Sequence, residues 1–187
     1  MMRIITGSAR GIRLTTLEGN ETRPTSERVK AAIFSSLQFV LEGRRVLDLF
    51  AGCGQLGLEA LSRGAASATF TDASQDAMAV IKENATRTGF FEKSHFLCSD
   101  YRNVIRKYAG RETYDLIFID PPYALHAAAD ALLRALRAGL AAPGCILVTE
   151  SGEEEVLPPD TPELSRLRLL KSARYSVSYI HIYEVLS

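Results

Sequence analysis

Short apolar runs alternate along this chain with longer segments in which apolar residues recur at helical spacing. Runs of strand pattern occupy residues 44–50, 67–72, 94–99, 114–120 and 144–150. The segments between them, "LGLEALSRG", "SQDAMAVIKENATRTG", "YRNVIRKYAG" and "HAAADALLRALRAGL", have the pattern of amphipathic helices. This alternation predicts parallel strands covered by helices on both faces, a doubly wound α/β sheet whose ligands bind beyond the carboxyl ends of the strands.

The two ends of the chain depart from this alternation. Near the N-terminus, "RIITG" and "IRLTTL" flank "SARG" and predict a small β-hairpin, which is followed by an amphipathic helix in "SERVKAAIFSSLQFVL". The last stretch, "ARYSVSYIHIYEVL", alternates without a helix between its parts and predicts antiparallel strands at the sheet edge. We expect a single domain over residues 1–187, with a hairpin extension at 1–20 and a core at 21–187.

Composition adds little to this picture, except for the distribution of charge. Hydrophobic residues make up 47% of the chain and charged residues 24%, as in ordinary globular proteins. No signal peptide or membrane-spanning run is evident, so we expect a cytoplasmic protein. Residues 1–45 hold eight Lys or Arg against four Asp or Glu. This basic part predicts either a segment that faces a polyanion or a solvated basic face without a partner.

The three cysteines, Cys53, Cys98 and Cys145, are widely spaced and lie in or beside apolar segments. They form no CxxC pair, so a disulfide framework or a zinc site is not expected. Buried, reduced thiols are the expectation, and we predict no metal cofactor.

A glycine-rich loop follows the first core strand. In "DLFAGCGQLGLEA", Gly52, Gly54 and Gly57 match GxGxxG between a strand and a helix, where glycines permit a tight turn and close approach of a ligand. Asp72 ends the second strand, where an acid can accept hydrogen bonds from ribose hydroxyls. Together these residues predict a cofactor that contains adenosine. Both NAD and S-adenosylmethionine would fit at this point.

Acidic residues end four of the predicted strands, at Asp48, Asp72, Asp100 and Asp120. A dehydrogenase would need a second nucleotide-binding half and usually a substrate domain, for which this chain has little room. In a site for S-adenosylmethionine, Asp48 would lie near the cationic α-amino group and Asp100 near the adenine amine. We therefore favour S-adenosylmethionine over NAD.

The fourth strand ends in "IFIDPPYAL". Asp120 would lie opposite the sulfonium, and Tyr123 could stack on a planar base, while Pro121 and Pro122 hold the chain rigid. An exocyclic amine is a poor nucleophile, and the Asp120 carboxylate and the Pro121 carbonyl could accept its hydrogens and orient its lone pair. The alternative is a strand end followed by a proline turn. The catalytic interpretation predicts methyl transfer to an amine of an unpaired or flipped base.

These motifs resemble a known family. "RIITG", "RPTSERVKAAIF", "LDLFAGCGQLGLEALSRGA" and "FIDPPY", in this order, are similar to the RsmD-type bacterial methyltransferases, which modify guanine N2 in small-subunit (16S) ribosomal RNA. The resemblance covers nearly the whole chain. It implies a Rossmann-like class I methyltransferase fold with a mostly parallel seven-stranded sheet, and it implies that the "TRPT" segment, Thr22 to Thr25, covers the methionine end of the cofactor.

The site residues that we predict on this basis fall into three groups. The catalytic group is Asp120, Pro121, Pro122 and Tyr123. The cofactor group is Arg23, Thr25, Asp48, Phe50, Ala51, Gly52, Gly54, Asp72, Ala73, Asp100, Tyr101 and Asp120. The RNA-binding group is Arg3, Arg10, Arg13, Arg23 and Arg28. The partner would be ribosomal RNA, naked or within an assembled small-subunit particle, and we expect a monomer that contacts neither a membrane nor a metal.

Two departures from the family and several competing functions remain open. Asp72 is shorter than the Glu often found there, and Ile12 stands where a basic residue is common, which weakens the case for RNA contact by the hairpin. A DNA adenine-N6 or protein glutamine methyltransferase could use the same "DPPY" motif, but the added segments that those enzymes usually carry are not evident. A silent RNA-binding module would be expected to lose the strand-end acids.

Overall fold

The computed structural model describes residues 2–17, 27–122 and 125–187. Within these residues five α-helices alternate with the strands of one sheet. The helices are α1 Glu27–Ser36, α2 Gln55–Ser62, α3 Gln75–Thr88, α4 Tyr101–Tyr108 and α5 Ala128–Arg137. The strands are β1 Arg45–Asp48, β2 Ser67–Asp72, β3 Ser94–Cys98, β4 Tyr114–Ile119, β5 Ala141–Ser151, β6 Leu167–Tyr175 and β7 Ser178–Val185. Short 3-10 helices occupy Phe91–Lys93 and Pro162–Arg166.

The seven strands form a single sheet in the order β3-β2-β1-β4-β5-β7-β6. Strands β1 to β5 are parallel, and β7 runs antiparallel to both of its neighbours. The prediction of a doubly wound, mostly parallel seven-stranded sheet is confirmed. The predicted placement of both C-terminal strands at the sheet edge is refined: β7 lies between β5 and β6, so of these two strands β6 alone is at an edge.

Helices cover both faces of the sheet with separate apolar cores. On one face α1, α2 and α3 pack against residues such as Val46, Phe70 and Phe118. On the other face α4 and α5 pack against residues such as Leu47 and Ile117. Successive residues of β1 and β4 therefore belong to opposite cores, as the pleat of a strand covered on both faces requires. No helix in the described parts of the chain is long and apolar enough to cross a membrane.

The N-terminal segment forms a short hairpin, as predicted. The Ile4 amide donates to the Ile12 carbonyl and the Leu14 amide donates to the Met2 carbonyl, both at 2.9 Å. Arg3 and Arg13 form one isolated antiparallel bridge, and no strand is present around them in residues 2–17. Other amides of the hairpin are bound by α2: the Glu59 carboxylate accepts from the amides of Ile5, at 2.7 Å, and of Thr6, at 3.0 Å. The segment packs into the main core and is not an appendage to the sheet.

A buried ion pair joins the same segment to α1. Lys30 and Glu59 are both fully buried, with 3.6 Å between Nζ and Oε2. Lys30 also donates to the Arg3 carbonyl at 2.5 Å, and Arg63 donates to Glu59 at 2.8 Å. Burial lowers the pKa of Lys30, against the opposing effect of the Glu59 charge. The motif "LGLEALSRGA" therefore has a structural task, which is to hold the N-terminal segment and α1 together.

The cysteines do not all match the expectation of buried thiols. Cys53 and Cys145 are buried, and Cys98 is exposed. Cys98 is the last residue of β3, which is an edge strand of the sheet. All three are free thiols.

Candidate cofactor and active site

The strand pairings bring the acidic strand ends to one edge of the sheet, but not to one level. Asp48 pairs with Phe70 on one side and with Phe118 on the other. Asp72 and Asp120 come two residues after those partners, so they lie one step of the pleat, roughly 6–7 Å, beyond Asp48. Asp48 is thus the deep acid of the site, and Asp72 and Asp120 lie at its outer level.

This depth explains the chemistry of Asp48. Only 1% of the residue is exposed, and its Oδ2 accepts one hydrogen bond, from the Gly57 amide at 3.1 Å. Its Oδ1 is buried and makes no hydrogen bond with the described residues. Desolvation, with a smaller contribution from the Asp72 charge, raises the pKa of Asp48 to about 7. A cationic or hydrogen-bond-donating ligand beside Oδ1 would satisfy this carboxylate.

The glycine loop is shaped by close contacts and by its hydrogen bonds to Asp72. The Asp72 carboxylate accepts from the Gly52 amide at 3.0 Å and from the Ser74 amide at 2.9 Å. Gly54 has a φ of 81°, in the left-handed region. At Gly57 a Cβ would lie 2.3 Å from Cε1 of Phe70, so no larger residue fits there without a shift. Gly52 also has a positive φ, of 56°, so the pattern GxGxxG combines two conformational requirements with one packing requirement.

Asp72 ends β2 as predicted, and Asp100 lies beyond the end of β3 with a structural role of its own. Asp100 is the N-cap of α4, and its Oδ1 accepts from the Arg102 amide at 2.8 Å. The two predicted alanines lie close by. The Ala51 amide donates to the Thr71 carbonyl at 2.9 Å, and the Ala73 carbonyl accepts from Cys98 Sγ at 3.8 Å. These residues line the side of the loop where the adenosine part was predicted to bind.

Phe50 and Tyr101 form an aromatic pair next to the loop, with ring centroids 5.0 Å apart. The Tyr101 hydroxyl donates to Asp130 at 2.7 Å, which joins α4 to α5. Burial raises the pKa of Tyr101, so the phenol stays protonated as the donor. Sequence reasoning had missed Asp130, whose only signal was an acid in the first turn of the helix after "DPPY".

The "DPPY" motif begins directly after β4, on the strand next to β1. Asp120 is half-buried and Pro121 is buried. The Pro122 carbonyl accepts from the Leu125 amide at 2.9 Å, which closes a turn. Within the described chain no donor contacts the Pro121 carbonyl, so this oxygen can accept a hydrogen bond from a substrate. Tyr123 lies outside the described residues.

The predicted basic residues are not equivalent. Arg23 and Thr25 lie outside the described residues. Arg3 forms an ion pair with Glu27 at 3.3 Å, so part of its charge is neutralised. Arg10, Arg13 and Arg28 are exposed and form no ion pair with the residues that the structure describes. Arg87, which the sequence had not singled out, donates to the Arg13 carbonyl at 3.3 Å.

A buried amide, Asn84 of α3, connects this basic segment to the glycine loop. Its Nδ2 donates to the carbonyls of Thr15 and Cys53, both at 2.9 Å. Its Oδ1 accepts from the Thr15 amide, also at 2.9 Å. The side chain is fully buried, and all of these bonds lie within the protein. Asn84 was not predicted from the sequence, because it occupies what looks like an ordinary polar position on an amphipathic helix.

The residues present fit S-adenosylmethionine. A buried carboxylate oxygen without a partner at Asp48 suits an ammonium group, and the half-buried Asp72 carboxylate has lone pairs left for hydroxyls beyond its two amide donors. The Phe50 and Tyr101 rings provide an apolar wall beside them. The phosphates of a dinucleotide would instead need a site without the uncompensated Asp48 carboxylate beneath the loop.

Comparisons with known proteins agree with this assignment. A family model described as "Conserved hypothetical protein 95" matches residues 2–184. The protein of Haemophilus influenzae named ribosomal RNA small subunit methyltransferase D is 29% identical over 184 residues, which cover 98% of this chain and 93% of that protein. The protein of the same name from Escherichia coli K12 is 36% identical over 124 residues, 65% of this chain and 60% of that one.

The solved structures resemble this fold over its whole length. The yhhF structure from Escherichia coli superposes with a TM-score of 0.86 at 28% identity, covering 99% of this chain and 98% of the other. The structure of TTHA0928 from Thermus thermophilus superposes with a TM-score of 0.82 at 27% identity, covering 100% of both chains. The order of strands, the antiparallel β7 and the position of the glycine loop thus belong to a shared architecture.

Proposed function

Because the chain belongs to the conserved hypothetical protein 95 family, the RsmD-type methyltransferases, we propose that it methylates the exocyclic N2 amine of one guanine in small-subunit ribosomal RNA. The protein is an S-adenosylmethionine-dependent methyltransferase. The observation that carries the choice of an amine acceptor is the position of Asp120 and Pro121. They follow β4 directly, beside the strand that leads into the glycine loop.

Asp120 and Pro121 act on the acceptor. The Asp120 carboxylate accepts one hydrogen of the amine, and the Pro121 carbonyl accepts the other. These two bonds favour a pyramidal nitrogen whose lone pair points towards the methyl group, so catalysis is mainly positioning and electrostatic stabilisation. Tyr123 supplies the stacking surface for the base, which offsets part of the cost of taking the base out of its helix.

The cofactor supplies an electrophilic methyl group on its sulfonium. Asp48 faces the ammonium group, Asp72 accepts from the ribose hydroxyls, and Asp100 lies on the adenine side. Phe50, Ala51, Gly52, Gly54, Ala73 and Tyr101 line the remaining surface, and Arg23 and Thr25 cover the methionine end. The half-buried Asp72 carboxylate, already fixed by two amides, is positioned before the cofactor binds.

The RNA-binding surface includes the N-terminal segment. Arg10 and Arg13 are exposed, and no described acid neutralises them. Replacing both by Ala should weaken RNA binding and reduce the slope of log affinity against log salt by about 0.7 to 0.9 per lost phosphate contact. Fluorescence anisotropy at several salt concentrations measures this slope, and the affinity for S-adenosylhomocysteine should stay the same. An unchanged slope would mean that the two arginines are only solvated.

The decisive experiment is methyl transfer to small-subunit ribosomal RNA from cells that lack this protein. Tritiated S-adenosylmethionine followed by nucleoside analysis should give N2-methylguanosine. Asp120→Ala should lose almost all methyl transfer under single-turnover conditions but should still bind S-adenosylhomocysteine. The reason is that the lost hydrogen bond is made to the acceptor amine as it reacts.

Asp115→Ala is the matched control for Asp120→Ala. Asp115 lies near the other end of β4, where it accepts from the Arg45 amide at 2.8 Å. Its variant should keep the rate of methyl transfer, and circular dichroism confirms the fold of both variants. Near-normal turnover by Asp120→Ala would remove the catalytic assignment, and a different methylated nucleoside would remove the guanine assignment.

The partner in this proposal is ribosomal RNA, either naked or in an assembled small-subunit particle. We place the reaction in the cytoplasm and assign it to a monomer, with no metal in the mechanism. The nucleoside experiment on both forms of the substrate decides between naked RNA and the particle, because only the true substrate should turn over at an appreciable rate.

A further inference from the structure

A fifth acid stands at the active edge of the sheet. Glu150 lies in the carboxyl-terminal part of β5, and only 6% of the residue is exposed. The predicted run "GCILVTE" ends in this acid, as two other runs end in Asp72 and Asp120. The mechanism proposed above gives this buried carboxylate no role, although β5 lies next to β4, the strand that leads into Asp120.

The strand register places Glu150 beside Asp120. Phe118 pairs with Val148, and Ile119 pairs with Thr149, in parallel register. The next residues along the two strands are Asp120 and Glu150, whose backbones are therefore about 5 Å apart. Glu150 occupies the same outer level of the sheet edge as the catalytic acid.

The two carboxylates also belong to the same face of the sheet. Phe118 and Val148 contribute to the core beneath α1. Side chains alternate with a period of two along a strand, so Asp120 and Glu150, two residues further on, lie on the same face as Phe118 and Val148. Thr149 belongs to the opposite face, and its Oγ1 makes no hydrogen bond within the described chain.

Two neighbouring acceptors match one particular base edge. Guanine presents two adjacent groups of donors on its Watson–Crick edge, the N2 amine and N1–H. Adenine and 2-aminopurine carry a bare nitrogen acceptor at N1. An ionised carboxylate accepts hydrogen bonds and cannot donate them, so a second carboxylate beside the first favours guanine and repels a base with an acceptor at N1.

We infer that Glu150 accepts a hydrogen bond from N1–H of the target guanine while Asp120 and Pro121 hold its N2 amine. This inference rests on the proposed function, and it makes Glu150 a specificity-determining residue. Its burial increases the effect, because a buried carboxylate that faces a ring acceptor loses its hydrogen bond without gaining one from water.

The test compares guanosine with 2-aminopurine at the target position. Both bases carry the N2 amine, and they differ at N1 and O6. The modified nucleotide is introduced by splinted ligation, into whichever form of the RNA the wild-type enzyme methylates. Single-turnover rates then give a ratio of guanosine to 2-aminopurine for the wild type, for Glu150→Gln and for Thr149→Val.

The wild-type enzyme should prefer guanosine by roughly 10- to 100-fold, the usual effect of a hydrogen bond to a charged group. Glutamine can either accept or donate, so Glu150→Gln should reduce the ratio to about threefold or less, by slowing guanosine and accelerating 2-aminopurine. Thr149→Val changes the same strand on its other face and should keep the wild-type ratio.

Three results would overturn the inference: equal wild-type rates on both bases, an unchanged ratio in Glu150→Gln, or the same change in Thr149→Val. The first needs no variant, so it tests the inference even if Glu150→Gln does not fold. If Glu150 had only a structural role, Glu150→Gln would lower folding stability and the rates on both bases together, and the ratio of the two rates would not change. Failure of the wild type to methylate guanosine at all would instead refute the proposed function.

Discussion

Asp48 offers a quantitative test of the site through the pH dependence of stability. Desolvation raises the pKa of this carboxyl from an ordinary 3.8 to about 7 in the folded protein. Folding therefore favours the protonated form. Between about pH 4 and pH 7 the folded state holds a proton that the unfolded state has lost, so the contribution of this residue to stability falls as pH rises.

The size of the effect follows from the shift. A difference of about 3 pH units corresponds to ~4 kcal/mol of destabilisation above pH 7, where Asp48 must be buried as an anion. Asp48→Asn removes the charge at nearly constant shape, but it buries an amide donor without a partner, at a cost of about 1–3 kcal/mol. The free energy of unfolding of the variant, relative to that of the wild type, should therefore rise by about 1.4 kcal/mol per pH unit between pH 4 and pH 7. Above pH 7 the difference should stay constant.

Urea denaturation of both proteins at unit steps from pH 4.5 to pH 8.5 measures this difference. The slope is the informative quantity, because the cost of the buried amide is the same at every pH. Asp76→Asn is the control, since Asp76 is exposed in the first turn of α3 and its substitution removes a solvated charge. A difference between Asp48→Asn and wild type that does not change with pH would refute the assignment of Asp48 as a buried acid with a raised pKa.

Two further predictions test other contacts of the site and of its support. Asp72→Ala should weaken S-adenosylhomocysteine binding by about 1–3 kcal/mol in calorimetry, because ribose hydrogen bonds to a charged acceptor are lost, and an unchanged affinity would place the ribose elsewhere. Glu59→Gln leaves Lys30 buried beside a neutral partner and should lower the free energy of unfolding by about 3–5 kcal/mol in urea, whereas wild-type stability would show that this pair is dispensable.

The order of strands and helices could be predicted because each element carries its own period. The run that ends at Asp120 contains the continuous apolar stretch "LIFI", as a strand covered on both faces requires. The level of each acid could not be predicted in the same way. An acid lies within two residues of the end of every run, but the register between neighbouring strands, which only the folded sheet fixes, decides that Asp48 lies one step deeper than Asp72.

The contacts of the N-terminal hairpin with α2 could not be predicted for a related reason. Alternating apolar residues around "SARG" fit the hairpin, but nothing local shows that another element will bind some of its backbone amides. In the structure Glu59 and Ser62 of α2 accept from the amides of Ile5, Thr6 and Ala9, which fixes the hairpin against this helix. Glu150 was missed although its signal was present, because the position of β5 next to β4 emerges only from the assembled sheet.

The bonds of Asn84 have a consequence for the fluctuations of the native state. The Thr15 amide donates to a fully buried side chain, so it can exchange with solvent deuterium only when the N-terminal segment detaches from α3. Among the described residues, that opening leaves the Asn84 side chain with one hydrogen bond, to the Cys53 carbonyl, and so loosens the glycine loop. The exchange rate of this single amide therefore reports the free energy that holds the basic segment against the cofactor loop, and a ligand that tightens the loop must slow it.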